Sequence, residues 1–387
     1  MLDRSVDEKS QRPQKTIQAR PVSAFLTHCP YRQLCGMITL DAAAPETMLK
    51  FLKKSVLRIA SGLGVFEFVA GSRWRQQRLL ILGYHGLSLK DEHEWSGLHV
   101  TPAFFHNRLE ILARNRCQVL RLDDALRMLR QGSLPRKAVV ITFDEGFHDF
   151  HQIGFPMLRE FGFPATVYQT THYSDYPFPV FDPVLGLLFS RGKGRRFDGA
   201  AYAVPDAFNL SREEDRHRAV EAFRELARRQ RYTPAQKNDL AARIAGDLGV
   251  DYAEILRLRM LHLMTASQIS EIAAGGIDVQ LHTHRHRTPL DEELFIREIR
   301  DNRQWLAAKT GIQANHFCYP GGEYRAEFLP WLRAEHVVSA ATCNLGMADR
   351  TCEPLLLPRL LDFMSATDLD FEAWLAGVAS FFPHRQV

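Results

Sequence analysis

The sequence predicts an α/β fold closed as a barrel of parallel strands, and three observations carry that prediction. Short apolar runs rich in β-branched and aromatic residues recur at 79–84, 139–143, 165–168, 277–281, 316–319 and 337–341. Stretches of helical periodicity with recognisable start and stop signals separate these runs, and strands joined through helices pair in parallel. The chain has 387 residues, 45% hydrophobic and 24% charged, which is enough to bury a large core. At that length a barrel is the economical closure, and its functional residues belong at the C-terminal ends of its strands.

The elements follow in order. Residues 1–47 hold Pro13, Pro21, Pro30 and Pro45 without sustained periodicity and read as a weakly ordered extension. Met48 opens a different texture, and translation beginning at Met48 or Met37 fits the change. Residues 48–77 read as a basic amphipathic helical extension, with Leu52, Val56, Ile59, Leu63 and Phe66 at helical spacing. Between Met48 and Arg78, seven Lys or Arg accompany a single acid, Glu67. Over 48–70 this helix either lies on a membrane surface, apolar side down, or packs its stripe on the domain.

The main domain spans 78–364. Its first strand ends at His85, and Thr101-Pro102 opens the next helix, with Thr as cap and Pro at the first position. The strand 139–143 runs into Asp144-Glu145-Gly146, 152–161 is helical, and 165–168 is the following strand. Residues 174–262 break the rhythm and read as a helical insertion. It carries an aromatic, Pro-rich stretch, the basic loop 191–196, and two capping-box signals, Ser211 with Glu214 and Thr233 with Gln236. Thr265 with Gln268 resumes the rhythm, and 277–281 delivers His282-Thr283-His284-Arg285-His286. Asp291 closes a start signal for a helix running to Gly311, and 316–319 ends on Pro320-Gly321-Gly322. Residues 365–387 are a C-terminal helix and tail.

Composition excludes several classes. A net charge of +4 is too small to argue for nucleic acid. Six cysteines, at 29, 35, 117, 318, 343 and 352, form no C-x-x-C pair, which argues against a zinc ribbon or thioredoxin-type site and fits reduced thiols. No window is long and apolar enough to span a membrane, and the N-terminus lacks a signal-peptide core. The expectation is a cytoplasmic protein, with peripheral contact to the inner membrane through 48–70 as the added option.

Two motifs carry chemistry. Asp144 and Glu145 are adjacent carboxylates; so close, they repel, so one gains from a cation beside it while the other can serve as a base. His282 and His286, at i and i+4, share one face if the segment turns as a helix, which suits two imidazoles on one metal. Together they make metal-assisted hydrolysis the leading reading.

At these residues the chain resembles the polysaccharide deacetylase family, the NodB-type domain of carbohydrate esterase family four. The family's T-F-D-D-G motif reads Thr142-Phe143-Asp144-Glu145-Gly146 here, and its H-[ST]-x-x-H motif reads His282-Thr283-His284-Arg285-His286. Tyr84-His85, the run 163–167 and the run 317–322 support the match, which covers roughly residues 79–360. The resemblance implies a distorted (β/α)7 TIM-like barrel and a divalent metal, zinc above all, held by Glu145, His282 and His286. It implies Asp144 as catalytic base, and a backbone N–H near Tyr319 or Gly321 to steady the oxyanion. The implied reaction is removal of N-acetyl groups from amino sugars in a polysaccharide, an oligosaccharide or a lipid-linked precursor, with O-acetyl ester cleavage as the close variant.

The chain departs from the family pattern in three places. Glu145 stands where the family has Asp, and the extra methylene moves the carboxylate by about 1.5 Å against metal–oxygen distances of roughly 2.0–2.2 Å. Cys318 stands where many members carry an arginine, so whatever orients Asp144 comes from elsewhere. No late Leu-x-His motif supplies a general acid, and His384 in the tail is a poor substitute. His85, ending the first strand, is the best candidate acid, against the alternative of a structural histidine bonded to backbone. Tyr173, Tyr176, Phe178 and Phe181 either stack on sugar rings or pack the insertion on the barrel. Two other functions compete: a carbohydrate-binding relative that has lost efficient metal use, and a metal hydrolase of another class, such as a phosphodiesterase.

Overall fold

A computed structural model describes residues 54–382; the expected extension over 1–47 lies outside these. Seven strands form a closed parallel barrel. They are β1 (Leu80–Tyr84), β2 (Ala138–Phe143), β3 (Thr166–Gln169), β4 (Asp278–Leu281), β5 (His316–Cys318), β6 (Ser339–Leu345) and β7 (Leu357–Leu361). Each pairs with the next, and β7 closes on β1 through Leu82 and Leu360. The barrel confirms the α/β fold class and its seven-stranded form. The seventh strand, interrupted by Pro358 and Arg359, is absent from the sequence reading.

The strands form because every residue of β1 and β2 is buried, as parallel strands covered on both faces require. Alternate residues divide the work. Leu80, Leu82, Val139, Ile141 and Phe143 join one apolar cluster with the surrounding helices. Ile81, Val140, Tyr168, Cys318 and Ala341 belong to another, shared with the helix Leu122–Gln131. That alternation leaves Thr142 and Asp144, on the same side as Val140, inside the rim.

Several helix starts sit where the sequence places them. Thr101 accepts from Phe104 N ahead of Pro102–Arg114. Thr233 with Gln236 and Thr265 with Gln268 form complete capping boxes, and Asp291 caps Glu292–Thr310. Ser211 does not act as a cap: its N–H donates to Asn209 Oδ1, Asp215 accepts from Asn209 N, and the helix begins at Glu213. Between β3 and β4 the chain folds Phe181–Arg191, the hairpin Arg196–Asp198 and Ala207–Asn209, and the helices Glu213–Arg229, Pro234–Asp247 and Tyr252–Arg257. These share an apolar core of their own, joined at its edge by Leu89 and Trp95.

The N-terminal segment is not one continuous helix. Residues 54–62 are helical, the chain turns at Gly64 (φ 74), and Val65–Ala70 and Arg73–Gln76 follow. Arg75, fully buried, seals the N-terminal end of the barrel by donating to the carbonyls of Leu375 (2.9 Å), Arg78 (2.7 Å) and Ala138 (3.4 Å).

Candidate active site

The loops after β2 and β4 meet at the C-terminal rim. Asp144 N donates to Tyr84 O (2.9 Å), which ties the end of β2 to the end of β1. The chain then turns sharply, with Glu145 at φ 69 and Gly146 at φ 76. Position 146 needs glycine twice over, for its left-handed backbone and because a Cβ would lie 2.0 Å from Gln169 Oε1. The left-handed turn sends successive carboxylates different ways. Asp144 points into the barrel, where it is 2% exposed, and Glu145 points toward the histidine loop.

That loop is not helical. Thr283 and His286 have φ of 60 and 54, and its backbone is held by side chains of the helix Glu292–Thr310. His282 N donates to Asn302 Oδ1 (2.9 Å), Arg285 N to Glu298 Oε2 (2.8 Å), and Arg285 and Arg287 add guanidinium bonds to the same buried Glu298. The i, i+4 helical geometry read from the sequence is therefore corrected. The two rings meet, with centroids 5.1 Å apart, because a turn anchored on Glu298 and Asn302 brings them together.

Glu145, His282 and His286 each offer one ligand atom, and the three atoms lie within 4.8 Å of one another. His282 Nδ1 donates to Cys318 O (2.9 Å), which leaves the lone pair on Nε2. That Nε2 and the Nε2 of His286 are both buried without a hydrogen-bond partner. His286 Nε2 comes within 2.8 Å of Glu145 Oε1, but not at a hydrogen-bond angle. Two orphaned imidazole nitrogens and a carboxylate oxygen aimed at one point fit a divalent metal, with coordination left over for a small ligand. Glu145 thus reaches despite its extra methylene. Burial alone would raise its pKa; His286 and His282 hold it well below the usual carboxylate range.

The orienting group for Asp144 is Arg359, on β7. Its Nη1 and Nη2 donate to Asp144 Oδ1 and Oδ2, both at 2.7 Å, from a residue 215 positions away. Its other donors go to Thr342 O (2.9 Å), Thr142 Oγ1 (3.1 Å) and Cys318 Sγ (3.1 Å). Cys318 completes the contact by donating to Asp144 Oδ2 at 3.4 Å. A small residue at 318 leaves room for a guanidinium arriving from the opposite strand. Burial would raise the Asp144 carboxyl, but Arg359 outweighs it and keeps Asp144 ionised far below the ordinary range. Sequence reasoning missed Arg359; the signal available was an arginine inside an otherwise apolar run, at 355–361.

His85 stands at the same rim. Its Nε2 lies 3.7 Å from Asp144 Oδ2, and burial lowers its pKa against the opposing pull of Asp144 and Glu145. Of the expected oxyanion donors, Tyr319 N is already bonded to Ala341 O (3.2 Å), whereas Gly321 takes left-handed backbone at φ 63. The four aromatic residues divide: Phe181 is buried in the insertion's core, Phe178 is half-buried, and Tyr173 and Tyr176 gather edge-on around His172. His172 N donates to His284 O (2.8 Å), so this cluster borders the histidine loop.

A family model described as polysaccharide deacetylase matches residues 131–335, more than half of the chain. YxkH of Bacillus subtilis, which carries a provisional polysaccharide deacetylase name, is 35% identical over 92 residues. That match spans 24% of this chain and 31% of YxkH, so less than a third of the relative's length is represented. Among solved structures, the Streptococcus pyogenes deacetylase PplD in complex with acetate superposes with a TM-score of 0.51 at 17% identity. The superposition covers 76% of this chain and 96% of PplD, and it establishes the shared fold. A de-N-acetylase from Aggregatibacter actinomycetemcomitans gives 0.49 at 12% identity, over 77% of this chain and 99% of its own. The matched stretch contains Asp144, Glu145, His282 and His286; His85 and Arg359 lie outside it.

Proposed function

Because the chain belongs to the polysaccharide deacetylase family, we propose that it is a metal-dependent carbohydrate N-deacetylase. It would hydrolyse the N-acetyl group of an amino sugar within a polysaccharide or oligosaccharide, free or lipid-linked. The observation that carries this reading is the junction of two opposite environments. Glu145, His282 and His286 present three ligand atoms within 4.8 Å, and the adjacent Asp144 is held ionised by Arg359 at 2.7 Å. A divalent metal held by those three ligands, zinc suiting the imidazole–carboxylate set, would polarise the acetyl carbonyl and acidify the attacking water.

The remaining work falls to the chain. Asp144 accepts the proton of the water as its oxygen attacks the acetyl carbon. Arg359 is a positioning residue: two parallel N–H donors fix the carboxylate plane so that a lone pair faces the rim. Gly321 N–H stands as donor to the developing oxyanion. When the C–N bond breaks, the amine nitrogen takes a proton from His85, whose place 3.7 Å from Asp144 lets the pair share the proton removed from water. The products are acetate and the free amino sugar.

The experiment is acetate release from N-acetylhexosamine oligomers by metal-loaded protein, beside the same assay on O-acetylated sugar. Acetate formed from the first and abolished by Asp144→Asn supports the reading. Metal-free protein that binds the oligomer without releasing acetate would replace it with a carbohydrate-binding role.

A further inference from the structure

The described residues include ten exposed large hydrophobic side chains, and five of them lie on residues 54–70 or on the turn that packs against Val65–Ala70. Val56, Ile59 and Leu63 are 41%, 63% and 76% exposed and recur at helical spacing along 54–63. Phe68, beyond the Gly64 turn, is 82% exposed. Phe381, 63% exposed, belongs to the turn Val378–Phe381 that packs against Val65–Ala70 and stacks on Trp74 at 4.7 Å. Of the segment's other apolar side chains, Leu57, Phe66 and Ala70 are buried against the domain, and Ala60, Val65 and Val69 pack there partly buried. The stripe seen in the sequence therefore has two faces: one packs on the protein and the other faces solvent. The basic residues divide as well. Arg75 is buried and Arg78 pairs with Asp349, but Lys54, Arg58 and Arg73 are exposed. The segment's acid, Glu67, is paired with Lys137 at 2.9 Å. An exposed apolar face beside cations that pair with no acid among the described residues, with its own acid neutralised, matches an anionic lipid surface better than a second copy of this equally cationic patch.

We propose that residues 54–70 and Phe381 dock this protein on an anionic membrane surface. The patch lies at the N-terminal end of the barrel, since Glu67 and Arg75 contact Lys137 and Ala138 at the start of β2. Asp144 follows the other end of that strand, ~20 Å away at about 3.3 Å per residue. Docking turns the active-site rim away from the bilayer. A consequence, which rests on the deacetylase reading, is that the sugar reaches the rim on a chain extending at least that far from the membrane. The test is co-sedimentation of the full chain with phosphatidylglycerol–phosphatidylcholine vesicles and with pure phosphatidylcholine vesicles, at two salt concentrations. The expected result is binding to the anionic vesicles, weakened at least tenfold by Leu63→Glu with Phe68→Glu, and severalfold by Lys54→Glu with Arg58→Glu or by raised salt. Acetate release from a soluble oligomer should be unchanged in these variants, and unaltered melting curves exclude misfolding. The proposal is overturned if the wild-type chain ignores anionic vesicles, or if both pairs of variants bind as it does. It is equally overturned if Leu63→Glu with Phe68→Glu abolishes a concentration-dependent dimer while lipid binding persists.

Discussion

The two halves of the candidate active site, the proposed metal side and the proposed base side, are built by opposite means. The metal side is a loop construction, with Glu145, Thr283 and His286 in left-handed backbone and Glu298 and Asn302 holding the turn from a neighbouring helix. The base side is a strand construction. Asp144 ends β2, and its counter-ion comes from inside β7, wholly buried, with all its donors engaged. Loop backbone can be set to a longer or a shorter side chain, and the left-handed turn at Glu145 brings its carboxylate to 2.8 Å from His286 Nε2. A buried ion pair cannot shift, because a misplaced partner leaves a charge in low dielectric. The comparison teaches that metal ligands can vary where backbone can adjust, whereas the base can change its partner only if another strand supplies the same charge in the same plane.

The sharpest break separates chemistry from architecture. Asp144→Asn should lower acetate release by ~10³-fold or more while metal content stays near one equivalent; simultaneous metal loss would mean that the halves are not independent. His282→Ala should remove the bound metal, measured by elemental analysis, and with it the activity, while leaving the Arg359–Asp144 pair intact. Arg359→Leu tests the base side directly. It leaves Asp144 buried without its cation, so the carboxyl takes up a proton and ceases to be a base. Activity should fall by ~10²-fold, and the loss of a buried pair should cost about 3–5 kcal/mol in denaturant unfolding. Arg359→Lys should restore stability more than turnover, because an ammonium supplies the charge without the parallel donors. The double variant Cys318→Arg with Arg359→Leu asks whether a guanidinium can act from β5; recovery of at least tenfold over Arg359→Leu would show that only its position in the plane matters.

The same contrast explains what was legible in the sequence. Six of the seven strands announce themselves as apolar runs, and Asp144, Glu145, His282 and His286 sit at the ends of two of them, so local pattern locates them. β7 hides because Pro358 and Arg359 interrupt its run, and Arg359 looks misplaced until the barrel closes and sets it against Asp144. Nothing local encodes a contact across 215 residues. The helical geometry expected for His282 and His286 failed for a related reason: spacing fixes which residues are near in sequence, but side chains of Glu292–Thr310 decide how that turn folds. The stripe over 48–70 was visible, but which of its apolar residues would be buried depended on a barrel end that Arg75 seals.

The smallest expected effect concerns Glu145, the candidate ligand that departs from the family pattern. If the Glu145 turn is shaped to its longer side chain, Glu145→Asp withdraws the carboxylate by about 1.5 Å from ligand atoms whose bonds to metal measure roughly 2.0–2.2 Å. The left-handed backbone at 145 and the Gly146–Gln169 contact resist a compensating shift, since a backbone advance would press Gly146 on Gln169. Metal affinity, measured by competition with a chromophoric chelator, should weaken by ~10-fold, with turnover at saturating metal nearly kept because Asp144 and Arg359 are untouched. Tighter metal binding by Glu145→Asp would mean that the turn still fits the family's aspartate, and that Glu145 itself limits the loaded fraction.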